Sequence, residues 1–262
     1  SKRLCKMSWM PTGILKKALF YLLLIAIWEG VYRAGFWPEF LFPGPVQVMS
    51  SLVRGLASGE LVEAVAYSLR RLSIGYTLAL VVGLPFGFLL ALSELVQELF
   101  SPLISALQSI PSVAWLPLAV LWLGLSESAI ILIVFLGAVW SITINTEAGI
   151  RNVPPLLLKA GRTMGASGVA LFREVAMPAA LPQILSGLRL AWAFAWRSLM
   201  AGELLSPGKG LGEALFVSRK VSDMAGVFAV IVMIGIIGAM VDNLVFKRLE
   251  LKTRQKWGLA VA

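Results

Sequence analysis

Apolar runs of bilayer length recur along this chain, and they limit what it can fold into. They lie at 14–33, 67–92, 99–123, 129–148, 183–205 and 226–246. About 20 mostly apolar residues suffice for a helix to cross the hydrocarbon core. Inside lipid every backbone N–H and C=O must be satisfied within the protein, so runs of this length are helical. Charged residues are only 14% of the sequence and mean hydropathy is +0.85, whereas soluble domains run near 25% charged. The expected class is an all-α polytopic membrane protein of about six transmembrane helices. Residues 1–13 form a basic tail, 14–248 a single transmembrane domain, and 249–262 a second basic tail. Residues 1–13 are too basic and too short of apolar length for a cleaved signal peptide.

Details inside these runs predict shape. Pro45 is placed to open a short amphipathic helix over 46–56 at the membrane interface. Pro102, Pro111 and Pro117 fall in one run, which predicts a kinked third span whose freed carbonyls need neighbours or a wet cavity. Gly75, Gly83 and Gly87 soften the second run. Residues 206–225 read as a glycine-rich loop. No strong internal repeat is visible, which weighs against a carrier built from inverted halves.

One polar stretch, 149–180, interrupts the apolar pattern. Pro154 and Pro155 suit the first turn of a helix. Gly165 suits a left-handed turn at its end, and Ser167 suits the cap of a second short helix. Met177-Pro178 and Leu181-Pro182 punctuate the return to the fifth span. Six spans put both termini on one side with this stretch. That side carries fourteen of the 23 Lys and Arg, the other side seven. The positive-inside rule therefore places the termini and the stretch in the cytoplasm. The formal charge of +9 thus marks topology, not nucleic-acid binding.

Several chemistries are excluded. The chain has no histidine and a single cysteine, Cys5, so the commonest metal ligand, the usual proton shuttle and any disulfide framework are missing. No G-x-x-x-x-G-K-[ST] loop occurs, and Gly208-Lys209-Gly210 is not one. The chain is expected to bind no metal or cofactor and not to be an enzyme.

Polar residues inside the spans are candidates for a translocation path: Gln108, Ser109, Ser112, Thr143, Asn145, Arg197 and Glu203. Hydroxyls and amides suit a small oxyanion, but they equally serve hydrogen bonds between packed helices. Arg197 and Glu203 border a path, or else Glu203 pairs with a neighbouring helix and Arg197 snorkels or bonds to backbone. Arg70 and Arg71 read as a snorkelling interfacial pair. Asp242 and Asn243 are expected to meet Lys247 or interfacial water.

The polar stretch also carries a resemblance. Lys159-Ala160-Gly161, Gly165 four residues on, and Leu181-Pro182 resemble the EAA signature of bacterial ABC-importer permeases. The run from Arg162 to Ser167, then Leu171 to Pro182, is similar to the nitrate/sulfonate/taurine branch. So are Ile110 to Leu118, Trp122 to Glu127, Ala201 to Leu205 and Gly210-Leu211-Gly212. One departure stands out: Lys159 replaces the family's usual Glu. The resemblance covers about 20–250 and implies the type I importer fold in the bacterial inner membrane. It implies two permease copies, most simply a homodimer, two ATP-binding cassette ATPase subunits that bind ATP and Mg, and an extracytoplasmic solute-binding protein. It casts the polar stretch as a coupling helix against the ATPase, through Leu157, Lys159, Ala160, Gly161, Arg162, Gly165, Ala166 and Ser167. On local pattern alone the same stretch reads as an ordinary interfacial helix. The implied mechanism is alternating access for a small anion. Aliphatic sulfonate or taurine leads, with nitrate, bicarbonate and a thiamine-precursor pyrimidine behind. The alternative is an ion-coupled secondary transporter.

Overall fold

The computed structural model describes residues 11–205 and 208–256, with side chains from 15 to 253. All the secondary structure among the described residues is helical: α1 (Pro11–Arg33), α2 (Pro45–Ala57), α3 (Glu60–Leu92), α4 (Glu94–Ser109), α5 (Leu116–Leu123), α6 (Glu127–Arg151), α7 (Pro155–Thr163), α8 (Gly168–Leu171), α9 (Met177–Leu205), α10 (Leu211–Lys220), α11 (Met224–Val241) and α12 (Lys247–Lys256). Two compact units form. One takes the chain up to Leu61 with Ala214–Met233, the other Val62–Glu213 with the chain from Ile234 onward.

The smaller unit holds α1 and α2. Residues Leu19 to Ile25 of α1 are exposed on every face. The end of α1 is pinned by aromatic contacts instead. Trp28 Nε1 donates to the Pro43 carbonyl at 3.1 Å, and its ring stacks on Phe228, 6.1 Å away. Helix α2 begins at Pro45 as expected, and Gln47 reaches back to accept from the Gly44 N–H at 3.0 Å.

The larger unit is built on α6, whose flanks are buried from Ala129 to Ile150. Helix α3 lies on it through small residues at intervals of four: Gly75, Ala79, Gly83 and Gly87. A methyl group at Gly75 would sit 2.7 Å from Val134 Cγ1, at Gly83 2.9 Å from Ile142 Cγ2, and at Gly87 2.7 Å from the Thr143 carbonyl oxygen. Those separations leave no room for a Cβ, so the two backbones meet directly, as small-residue interfaces in membranes do. Helix α9 packs on α6 through Gly149 and Gly187 in the same way.

Among the described residues, three helical stretches are long and apolar enough to cross a membrane: Glu60–Leu92, Glu127–Arg151 and Met224–Thr253. Helices α1 and α9 cover the expected runs at 14–33 and 183–205. The predicted kinked third span is instead a break. Helix α4 and the segment through α5 meet at 91°, joined by a 3₁₀ turn at Ser112–Trp115. Pro102 stays inside α4, while Pro111 occupies the corner and Pro117 the first turn of α5. The expected loop at 206–225 contains α10. The last span runs on through a π-turn, Asp242–Phe246, into α12, so helix continues past the expected boundary at 248. Pro178 and Pro182 do not end a helix; both lie in α9, behind a π-turn at Phe172–Ala176.

Candidate functional site

The polar stretch folds as the residues predict, with one exception. Pro154 caps α7 and Pro155 opens it. At its end the Gly165 N–H donates to the Arg162 carbonyl and the Ala166 N–H to the Gly161 carbonyl, each at 3.0 Å. This is the Schellman pattern, with Gly165 at φ +91°, a conformation glycine adopts without Cβ strain. Ser167 does stand at the start of α8, but its hydroxyl makes no capping bond.

The two small residues of the signature face opposite ways. Gly161 is buried, and a Cβ there would lie 2.8 Å from Leu171 and 2.9 Å from Val175. Its smallness seats α7 on the segment that follows, so Gly161 meets its own chain and not a partner. Ala160, Lys159, Arg162 and Leu157 are exposed. So are three apolar residues that the signature does not include: Leu156 at 75%, Met164 at 81% and Val169 at 81%. Residue type alone does not single them out, since the stretch also holds Leu158, Leu171 and Phe172. All three lie on the same short segment as the exposed Lys159 and Arg162.

At the other end of α9 the polar residues turn inward. Glu203 and Arg71 are each 1% exposed, and Arg71 Nη1 donates to Glu203 Oε1 at 2.9 Å. Ser68 donates to the same carboxylate at 2.7 Å, as does the Gly212 N–H at 3.0 Å. Ser68 Oγ in turn accepts from the Leu211 N–H at 2.9 Å. Arg71 Nη2 also reaches Glu127 at 3.0 Å, which Arg70 contacts too. A buried carboxylate is tolerated when its lone pairs are this well occupied. Arg70 and Arg71 are therefore not a snorkelling pair: both are ion-paired, and Arg71 is interior. Glu203 is committed to this network, away from open space.

Between these ends, a cleft of about 300 Å³ opens at the corner of the broken helix. Gln108, Ser109, Ser112, Trp140, Arg197 and Ser198 are among its lining residues. Thr143 and Asn145 are not. Thr143 is buried, donating to the Val139 carbonyl at 2.9 Å and bridging toward that of Gly83 at 3.3 Å. Asn145 donates to the Ser141 carbonyl at 2.8 Å and its side chain occupies the space over Gly187. Both serve helix packing in this structure. The cleft serines also donate inward: Ser109 to the Ala106 carbonyl at 2.6 Å and Ser198 to that of Phe194 at 2.8 Å, with Ser112 bonded to Ser198 at 2.5 Å.

Arg189 and Asp242 form a further pair. Arg189 grips Asp242 with two bonds, 2.5 and 2.6 Å. Asp242 therefore bonds an arginine of α9, with Lys247 acting on it through charge alone, and Asn243 donates to the Ala239 carbonyl. Groups of acidic or thiol residues able to hold a metal are absent among the described residues.

The profile of the family described as "Binding-protein-dependent transport system inner membrane component" matches residues 83–255. A protein of Bacillus subtilis named as an aliphatic sulfonates transport permease, SsuC, is 32% identical over 245 residues, 94% of this chain and 88% of that protein. The nitrate import permease protein NrtB of Leptolyngbya laminosa is 28% identical, over 87% of this chain and 84% of that one. Among solved structures, inward-facing MetNI, a methionine ABC transporter, superposes with a TM-score of 0.64 at 22% identity, covering 74% of this chain and 95% of that one. At that identity the likeness speaks for the fold.

Proposed function

The chain belongs to the binding-protein-dependent inner-membrane transport components, the permease subunits of ABC importers, and from that premise we propose how its parts divide the work. The surface on α7 and α8 is the coupling face. It docks on a separate ATPase subunit, which binds ATP and Mg, while this chain performs no hydrolysis itself. Two copies of the chain enclose the path, both termini face the cytoplasm, and a solute-binding protein delivers substrate from the other side. The cleft at the α4–α5 corner lies on the path. The solute is a small anion, with an aliphatic sulfonate or taurine first, and nitrate, bicarbonate or a thiamine-precursor pyrimidine behind.

The observation that carries this reading is the orientation of the loop. Leu156, Met164 and Val169 are exposed around a turn closed by its own backbone hydrogen bonds. Many exposed apolar residues of this chain lie in its apolar runs, where lipid can cover them, but these three lie in the polar stretch. An apolar patch beside Lys159 and Arg162 suits a protein partner. No carboxylate pairs with Lys159 among the described residues, so its charge is open to an acidic partner.

The test is co-purification in mild detergent with the cognate ATPase, followed by ATP-driven uptake in liposomes. A Met164→Asp, Val169→Asp chain is expected to keep its melting temperature and lose both the ATPase and uptake. Uptake that survives without ATP and without any ATPase subunit would falsify the assignment of roles.

A further inference from the structure

Helices α3 and α9 carry four arginines: Arg70, Arg71, Arg189 and Arg197. Three are ion-paired with carboxylates of the chain: Arg70 and Arg71 with Glu127 and Glu203, Arg189 with Asp242 and Glu250. Arg197 is the exception among the described residues. Its Nε donates to the Ala193 carbonyl of its own helix at 3.1 Å, and its guanidinium lies over the Phe194 ring, 5.1 Å from the centroid. Among the described residues no carboxylate reaches it, and Nη1 and Nη2 have no hydrogen-bond partner. A guanidinium cannot escape by deprotonation. Charged groups inside membrane helices are costly and are nearly always paired. Arg197 is exposed, so a counter-ion from outside the chain can reach it.

The surroundings say what kind. Arg197 lines the cleft at the α4–α5 corner, and it is the one charged residue in that lining. The serines of the cleft have spent their hydrogens on backbone carbonyls or on one another. That leaves Gln108, Trp140 and the two Nη groups as the side-chain donors without partners among the described residues. The guanidinium also rests over the Phe194 ring, and its Nη1 and Nη2 are left as a fork of donors. Such a fork matches an oxyanion with two coplanar acceptor oxygens. With one positive charge and no acid, the cleft neutralises one negative charge and repels a cation.

We propose that Arg197 forms an anion subsite within the permease itself, specific for singly charged oxyanions of the sulfonate or nitrate type. The permease then filters charge independently of the binding protein. This rests on the cleft being part of the path. Binding is weak by construction, because a site that held its anion tightly would block release.

The chain's single cysteine makes a direct test available. In a Cys5→Ser background, Ser109→Cys places a thiol in the cleft. The assembled importer, with its ATPase, is exposed to two methanethiosulfonates of similar size: a sulfonatoethyl reagent, itself an alkylsulfonate, and a trimethylammonium-ethyl reagent. Rates are read by mass spectrometry. Because Arg197 also raises the reactive thiolate fraction for both reagents, the ratio is the measure. The anionic reagent is expected to gain in ratio over a free-thiol control, and Arg197→Gln to reduce that gain about tenfold, while Arg197→Lys retains much of it. A ratio that matches the control and ignores Arg197→Gln would overturn the anion subsite while leaving the cleft on the path. If neither reagent modifies the introduced thiol under turnover, the cleft is not on the path, and both readings fall. If the Arg197→Gln chain misfolds, as read from a melting curve on the same sample, the parent's ratio against the free-thiol control decides: a ratio equal to the control overturns the subsite.

Discussion

The two ends of α9 adjoin two polar regions of the chain, and they are resolved in opposite ways. At 29 residues the helix separates its ends by roughly 44 Å, at 1.5 Å per residue. At one end Glu203, Arg71 and Ser68 face inward, and each oxygen of the carboxylate finds a donor in the chain. At the other end Leu156, Lys159, Met164 and Val169 face outward, and nothing among the described residues covers them. The lesson concerns how to read polarity in a membrane protein. A charge that the chain itself satisfies holds the fold together. A polar or apolar group left unmet on a well-packed scaffold points to something that binds.

The sharpest way to break this comparison is at the buried end. Glu203→Ala leaves Arg71 interior and without its main counter-charge, and removes the acceptor for Gly212. Loss of one member of a buried pair typically costs about 3–5 kcal/mol. The variant is expected to melt far below wild type in detergent, or not to accumulate. Replacing both partners, Arg71→Met with Glu203→Leu, removes the charges together and is expected to recover much of the loss. A Glu203→Ala chain that melts like wild type and still transports would show that the cluster does not hold the fold.

Next in size is the interface between α3 and α6. Gly87→Leu must displace Thr143 and Thr146, and overpacking of this kind costs about 1–3 kcal/mol. Thermal unfolding is expected to show that drop, with Gly87→Ser falling between. At the outward end, Gly165→Ala keeps the loop surface but forces a Cβ into a left-handed backbone, a penalty of about 1–2 kcal/mol. Since the turn is peripheral, the expected loss is local. Hydrogen exchange should rise over 161–168 while the global melting temperature moves little, and ATPase affinity should fall. If exchange is unchanged, the turn is not what presents the surface.

Much of this was legible in the sequence, and the failures share a physical origin. Apolar length located the spans, and local backbone chemistry located α2 at Pro45 and the turn at Gly165. Each of these depends on residues within a few positions of each other. The Arg71–Glu203 pair joins residues 132 apart, and nothing local says which acid an arginine will meet. The burial of Gly161 depends on the segment ten to fourteen residues on folding back over it. Ser109 and Ser112 share one cleft, as their places around Pro111 suggest, but a hydroxyl's donor goes to the nearest free acceptor, which pattern does not reveal. Pro102 and Pro111 are indistinguishable by type, yet only the second marks a corner, because the chain beyond it packs on α6 in a new direction.

A last prediction isolates burial from contact. Lys209 donates to Glu63 at 2.6 Å, closer than Arg71 to Glu203 at 2.9 Å, and both pairs belong to the larger unit. Both members of the Lys209–Glu63 pair are more than half exposed, so water and salt screen them and ordering two long side chains offsets the attraction. The Glu63 carboxylate holds the Lys209 ammonium above its usual range. A raised folded value means that any stability from the pair is fully present below the unfolded lysine value and fades as pH rises through the folded one. Lys209→Met is therefore expected to leave the neutral-pH melting temperature unchanged, and to flatten whatever small decline wild type shows in the alkaline range. A large drop at neutral pH would mean that proximity outweighs burial here, and the contrast between the two ends of α9 would need another cause.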